Sequence, residues 1–241
     1  FPTDQVGLGS AKVSKTVSDL TPVEELGKNL FFDKIAEPDN MSCADCHIPE
    51  VGFTGPTSEI NAHGAVYPGA VEQRFGNRKP PSAAYATSSP VLFYDEEEGI
   101  FVGGNFWDGR ATGEKLGNPA ADQAQGPFLN PVEQALPDSA CVVYRVCNAS
   151  YPVSLEDVWG SGTCDISWPG DIETVCATEG ATVVLSAEDR ANSDAAYDLT
   201  ALSIAAYEAS PEVNAFTSKY DLTFKGMTKL SKDERKGLAL F

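Results

Sequence analysis

The residues best equipped for chemistry are Cys43-Ala44-Asp45-Cys46-His47. Two thiols at this spacing can add to the two vinyl groups of one haem, and the adjacent imidazole then lies under the iron as its proximal ligand. Two other chemistries use paired thiols. A structural zinc needs four ligands, whereas the chain offers one further histidine and no second Cys-x-x-Cys. A thioredoxin-like redox pair wants a βαβ setting that the sequence lacks. The motif therefore predicts covalently held haem c, attached through Cys43 and Cys46 and ligated by His47.

Three further segments carry reactive side chains. His63, in Asn61-Ala62-His63-Gly64, is the other histidine. A lone histidine is more often a core or surface residue, but a loop histidine near a haem can take the sixth iron position and leave it when the loop moves. Phe106-Trp107-Asp108-Gly109-Arg110-Ala111 reads as a turn with a buried Trp107, or as an electron relay if a haem lies beside it. Gln123 and Glu133 flank Gln125-Gly126-Pro127-Phe128-Leu129-Asn130-Pro131. Cleaving a peroxide requires a proton to move from its near to its far oxygen. A carboxylate within reach of the open iron position can carry it, and an amide can orient the peroxide.

The elements that position these residues are partly legible. The chain has 241 residues, 42% of them hydrophobic, enough for a sizeable core. Its 16 Pro and 21 Gly predict a loop-rich fold. Residues 1–19 are polar and lack periodicity, as in an extended arm. Thr21, Pro22 and Glu24 form a capping box for a helix whose apolar face is Leu26, Leu30 and Phe31. Residues 49–105 read as loops, with Asp95-Glu96-Glu97-Glu98-Gly99 as a solvated acidic turn. The clearest helix runs from Ser193 to Ala209, capped by Ser193 or Asp194, with Tyr197, Ala201, Ile204 and Ala205 on one side. The fold class is mainly α: a cytochrome c-like helical domain wrapped by long loops.

The other cysteines, Cys141, Cys147, Cys164 and Cys176, fall within residues 138–190, which read as an inserted lobe stapled by two disulfides. Local bridges, Cys141–Cys147 and Cys164–Cys176, are the expected pairing. Disulfides imply an oxidising, exported compartment, and Phe1-Pro2-Thr3-Asp4 has the look of a mature N-terminus. No apolar run reaches the roughly 20 residues that span a bilayer. The net charge of −18 repels nucleic acid and anionic membrane; it suits a basic partner, or serves solubility alone. Finally, Leu230 to Phe241 repeats Leu20 to Phe31, with Leu, Ser/Thr, Glu, Gly, Leu and Phe in one register. This points to a duplicated unit, in which residues 20–229 form the haem domain and residues 230–241 begin a second one, truncated or continued on another chain.

Taken together, Leu26 to Asp33, Ser42 to His47, His63-Gly64, Gly76-Asn77-Arg78-Lys79-Pro80-Pro81-Ser82, Phe106 to Ala111, Gln123 to Glu133 and Ile204 to Glu208 resemble, in order, the bacterial di-haem cytochrome c peroxidases and their relatives that mature methylamine dehydrogenase. The likeness is to the N-terminal, peroxide-reacting half. It implies that His63 is the distal ligand of the resting form, that Trp107 lies between two haems, and that Gln123 and Glu133 act on peroxide. It implies reduction of hydrogen peroxide to water, with electrons from a second haem and ultimately from a small donor protein, a cytochrome c or cupredoxin, in the periplasm. A homodimer is compatible with it. Two other activities stay open: a di-haem oxidase acting on a protein or organic substrate, and an electron carrier with His47 and His63 permanently on the iron. There are departures. Lys79 stands where the family's Asn helps bind an inter-domain calcium, so calcium is expected only if Asn77 substitutes. Extra residues separate Arg110 from Gln123, the 138–190 segment exceeds the family's usual length, and the second haem domain is expected beyond Phe241 or on another chain.

Overall fold

The computed structural model describes residues 20–55 and 66–241. The arm at 1–19 and the segment holding His63 lie outside the described residues. The helices are α1 (Pro22–Phe32), α2 (Pro119–Leu129), α3 (Ser139–Asn148), α4 (Leu155–Trp159), α5 (Ile172–Cys176), α6 (Ala187–Ala209), α7 (Lys219–Phe224) and α8 (Lys232–Leu240). A two-stranded hairpin, β1 (Phe93–Asp95) and β2 (Ile100–Val102), is the only sheet among the described residues. The fold is mainly helical with long loops, as the sequence implies. The acidic turn caps the hairpin: the Asp95 carboxylate accepts the N–H groups of Glu97 and Glu98 at 3.0 and 3.1 Å.

Helix α1 begins where its cap predicts. The Thr21 N–H and hydroxyl both donate to the Glu24 carboxylate at 2.7 Å, and Pro22 at the first position has no N–H to leave unmet. Its buried face, Leu26, Leu30 and Phe31, crosses α6, against which α2 and α3 also pack. The crossing requires Gly27: a Cβ there would stand 1.9 Å from the Ser203 carbonyl oxygen. Phe128, Val142, Val143 and Ile204 complete one core, each such side chain contributing about 1.5–3 kcal/mol by leaving water.

Two expectations are corrected. Helix α6 starts at Ala187, not at Ser193. Ser186 accepts the Asp189 N–H at 3.0 Å and donates to its carboxylate at 2.7 Å, while Ser193 is fully buried inside the helix. The disulfides are Cys141–Cys176 and Cys147–Cys164, nested rather than local. Cys141 and Cys147 both lie on α3. Six residues of helix separate their Cα atoms by about 9 Å, beyond the roughly 4.4–6.8 Å that a disulfide spans. The cysteine-rich segment packs into the common core through Ala140, Val142, Val143 and Val146. Asp138 fastens it: its carboxylate accepts from the N–H groups of Ala140 and Val183 and from Arg190 on α6. Burial opposes the charge, but these bonds hold the Asp138 pKa below its usual range.

Candidate active site

The thiol motif folds as a single 3₁₀ turn, Cys43–Asp45. Ser42 caps it, its N–H and hydroxyl donating to the Asp45 carboxylate at 2.7 and 2.8 Å. The N–H groups of Cys46 and His47 then both close on the Cys43 carbonyl, at 3.1 and 2.9 Å. So tight a turn brings both thiols and the imidazole to one cavity. Behind it, the Phe31 ring lies 6.4 Å from His47. The His47 Nδ1 faces the Phe53 carbonyl at 3.0 Å; with Nδ1 as donor, Nε2 is left for a metal. Burial lowers the His47 pKa, favouring the neutral form that ligation needs. Burial, and then Glu208, pushes the Cys43 thiol up to about 12; burial, Glu133 and Asp45 push Cys46 to about 11.

Phe31, Pro80, Pro81 and Ile204 give this cavity apolar walls beside the thiols and the imidazole, the mix of apolar lining and a few polar groups common in cofactor sites. Cys43 and Cys46 stay unpaired while the other four cysteines are bridged. Two buried polar atoms on the wall, Tyr67 Oη and Gln134 Oε1, have no partner among the described residues. Gln134 turns its amide nitrogen toward the Cys43 sulfur at 3.7 Å. Free thiols, an imidazole with one nitrogen spare and the shared, partly apolar cavity they line fit haem c.

Gln123, on α2, and Glu133, on the turn after it, line the same cavity. Asn118 starts α2, its side chain accepting the N–H groups of Ala120 and Ala121 at 2.9 and 3.4 Å. After Leu129 the chain folds tightly: Glu133 N–H bonds to the Asn130 carbonyl at 2.9 Å, and Val132 N–H to the Asn130 side chain at 3.2 Å. Burial raises the Glu133 pKa, against the opposing pull of Asn130 and Arg110.

Trp107 lines the cavity too, but is 66% exposed, which corrects the reading of a buried Trp. Phe106 takes a positive φ of 65°, a conformation that costs a non-glycine residue about 1–2 kcal/mol. The Phe106 ring is half-buried, with the Arg110 guanidinium 3.8 Å above it. The Trp107 indole N–H is held by the Lys79 carbonyl at 3.1 Å. Asp108 bridges Arg110, at 2.8 and 2.9 Å, and Arg78, at 3.3 Å.

Three cavity residues escaped the sequence reading of roles: Tyr67, Gln134 and Glu208. Glu208 stands one turn past Ile204 on the buried face of α6, so its helical spacing could have revealed a carboxyl turned inward. It is 6% exposed, and burial pushes its pKa up to about 8. Tyr67 and Gln134 lie in Gly- and Pro-rich loops, where no periodicity marks an inward side chain.

A loop-wrapped helical domain with a Cys-x-x-Cys-His cavity of this kind is that of a c-type haem protein. The chain belongs to the di-haem cytochrome c peroxidase family, whose family model matches residues 22–229. It is 33% identical over 235 residues to the methylamine utilization protein MauG of Paracoccus denitrificans (strain Pd 1222), across 97% of this chain and 51% of that protein. It is 33% identical over 99 residues to the cytochrome-c peroxidase IdrP2 of Denitromonas iodatirespirans, across 41% of this chain and 21% of that one. The crystal structure of the diheme peroxidase BthA from Burkholderia thailandensis E264 superposes with a TM-score of 0.66 at 26% identity, covering 91% of this chain and 46% of that chain. The chain thus spans about half the length of MauG and BthA.

Proposed function

We propose that this chain is the peroxide-reacting haem domain of a di-haem peroxidase, reducing hydrogen peroxide to water. The observation that carries the reading is the convergence of Cys43, Cys46, His47, Gln123 and Glu133 on one cavity. When bound, haem c supplies the iron that takes up peroxide and passes electrons to it. Cys43 and Cys46 would hold the macrocycle, and His47, oriented by Phe53, would ligate its iron. Glu133 takes the proton from the near oxygen and returns it to the far one. Its burial-raised pKa suits a group that must both accept and release a proton. Gln123 orients the peroxide, and His63 closes the site in the resting form. The exposed Trp107 at the cavity faces a second haem unit, on the rest of a longer polypeptide or on another chain. The donor is a small basic electron-transfer protein, suited to a net charge of −18, and the compartment is the periplasm, consistent with two disulfides.

Replacing Glu133 with Gln tests this. Peroxide turnover falls about 10²- to 10⁴-fold while the resting haem spectrum is kept. Unchanged turnover, or a six-coordinate low-spin spectrum in every redox state with no peroxide reaction, overturns the proposal in favour of an electron carrier. A second reading, an oxidase acting on a protein or organic substrate, is favoured by the likeness to MauG over 97% of the chain and by the exposure of Trp107.

A further inference from the structure

Tyr67 is 4% exposed, and its hydroxyl is buried without a hydrogen-bond partner among the described residues. It lines the cavity shared by Cys46 and Glu133. Its backbone is fixed on both sides. The Tyr67 carbonyl accepts the Gly76 N–H at 2.8 Å, and Ala70 N–H donates to the Glu133 carbonyl at 2.7 Å. Between them Gly69 runs so close to the Glu133 turn that a Cβ would stand 2.4 Å from the Val132 carbonyl oxygen. The segment bearing the phenol and the turn bearing Glu133 therefore form one wall. Gly55 leaves the phenol its space, since a Cβ there would stand 1.9 Å from Tyr67 Oη.

A buried hydroxyl with no acceptor destabilises a fold, because it has given up its water and gained nothing. Gln134 Oε1, of another residue lining the cavity, is likewise buried and unpartnered among the described residues, but is an acceptor. A donor and an acceptor left open beside a buried acid form a site for a small molecule that both gives and takes hydrogen bonds. Building on the peroxidase reading, we propose that Tyr67 is a further catalytic group of this pocket: its phenol O–H would donate to the oxygen ligand on which Glu133 acts. The division of labour is then simple. Glu133 moves the proton, and Tyr67, a neutral phenol, anchors the oxygen that Glu133 works on.

The test uses the full-length, haem-loaded protein with fluoride as a probe that accepts hydrogen bonds at the iron, and imidazole as one that needs none. Tyr67→Phe removes a single oxygen atom. Fluoride affinity falls at least about tenfold, imidazole affinity is unchanged, and the thermal midpoint stays level or rises. Gly55→Ala keeps the hydroxyl but displaces it, so it weakens fluoride in the same way and decides the matter if Tyr67→Phe does not load haem. Unaltered fluoride affinity in either loaded variant, equal losses for fluoride and imidazole, or a lower thermal midpoint in Tyr67→Phe would each overturn the assignment. Failure of the peroxidase reading is separable: it shows as retained peroxide turnover in Glu133→Gln, whatever fluoride does in Tyr67→Phe.

Discussion

Glu133 and Gln134 are neighbours in sequence, yet their carbonyl oxygens bind two segments far apart in the chain. Glu133 accepts the Ala70 N–H at 2.7 Å, and Gln134 accepts the Glu37 N–H at 2.8 Å. The backbone beneath the acid is thus tied to the segment bearing Tyr67 on one side and to the approach to the thiol motif on the other. A polar group so held needs little reorganisation at the moment of reaction.

Its position should therefore matter as much as its acidity. Glu133→Asp keeps the carboxyl and withdraws it by one methylene, while the pinned backbone cannot follow. Single-turnover reaction with peroxide should slow by about 10²-fold, with the resting spectrum and the thermal midpoint close to those of the parent. A rate within twofold of the parent would show that the acid acts through a mobile or water-bridged geometry.

Glu208 makes stability depend on pH in a direction opposite to that of an ion-paired carboxylate. Its pKa in the fold is about 8 against an ordinary 4.5. Below pH 4.5 the folded and unfolded chains both hold the proton. Between 4.5 and 8 only the folded chain does, so stability is full at the acid end and falls as pH rises, by about 1.4 kcal/mol per unit. Urea unfolding at several pH values should show this slope, and Glu208→Gln should flatten it. A slope that survives the substitution would locate the burden elsewhere.

The nested bridges lead to a third expectation. Peptide mapping without reduction should recover Cys141 linked to Cys176 and Cys147 to Cys164. Replacing the inner pair by serine should lower stability by about 3 kcal/mol, as for a loop closed across a separation of 17 residues. Haem attachment should persist, because Cys43 and Cys46 are outside the bridges.

What could be read from the residues alone was what local chemistry dictates. The thiol motif is legible because two thioethers and an axial imidazole leave little freedom in spacing. Helix α1 is legible because its cap is written in three residues. The start of helix α6 is ambiguous in the sequence because Ser186-x-x-Asp189 and Ser193-Asp194 are rival caps, and only packing decides that Ser193 lies inside the core. The disulfide pairing is not legible because proximity along the chain favours short loops, whereas α3 holds Cys141 and Cys147 apart. Large aromatics are usually buried, which makes Trp107 misleading in the sequence: it follows a positive-φ turn at Phe106 and is largely exposed. Tyr67 and Gln134 were invisible because their inward direction depends on contacts between distant loops.

The concentric arrangement of Cys147–Cys164 inside Cys141–Cys176 also bears on how the molecule endures wear. Trp159, Gly160 and Ser161 are exposed to solvent, the kind of surface stretch at which proteases cut. A cut there falls within both rings, so the two pieces remain joined twice over. The helices that complete the core stay fastened to the rest, and a nicked molecule would still migrate as one until a reductant is added.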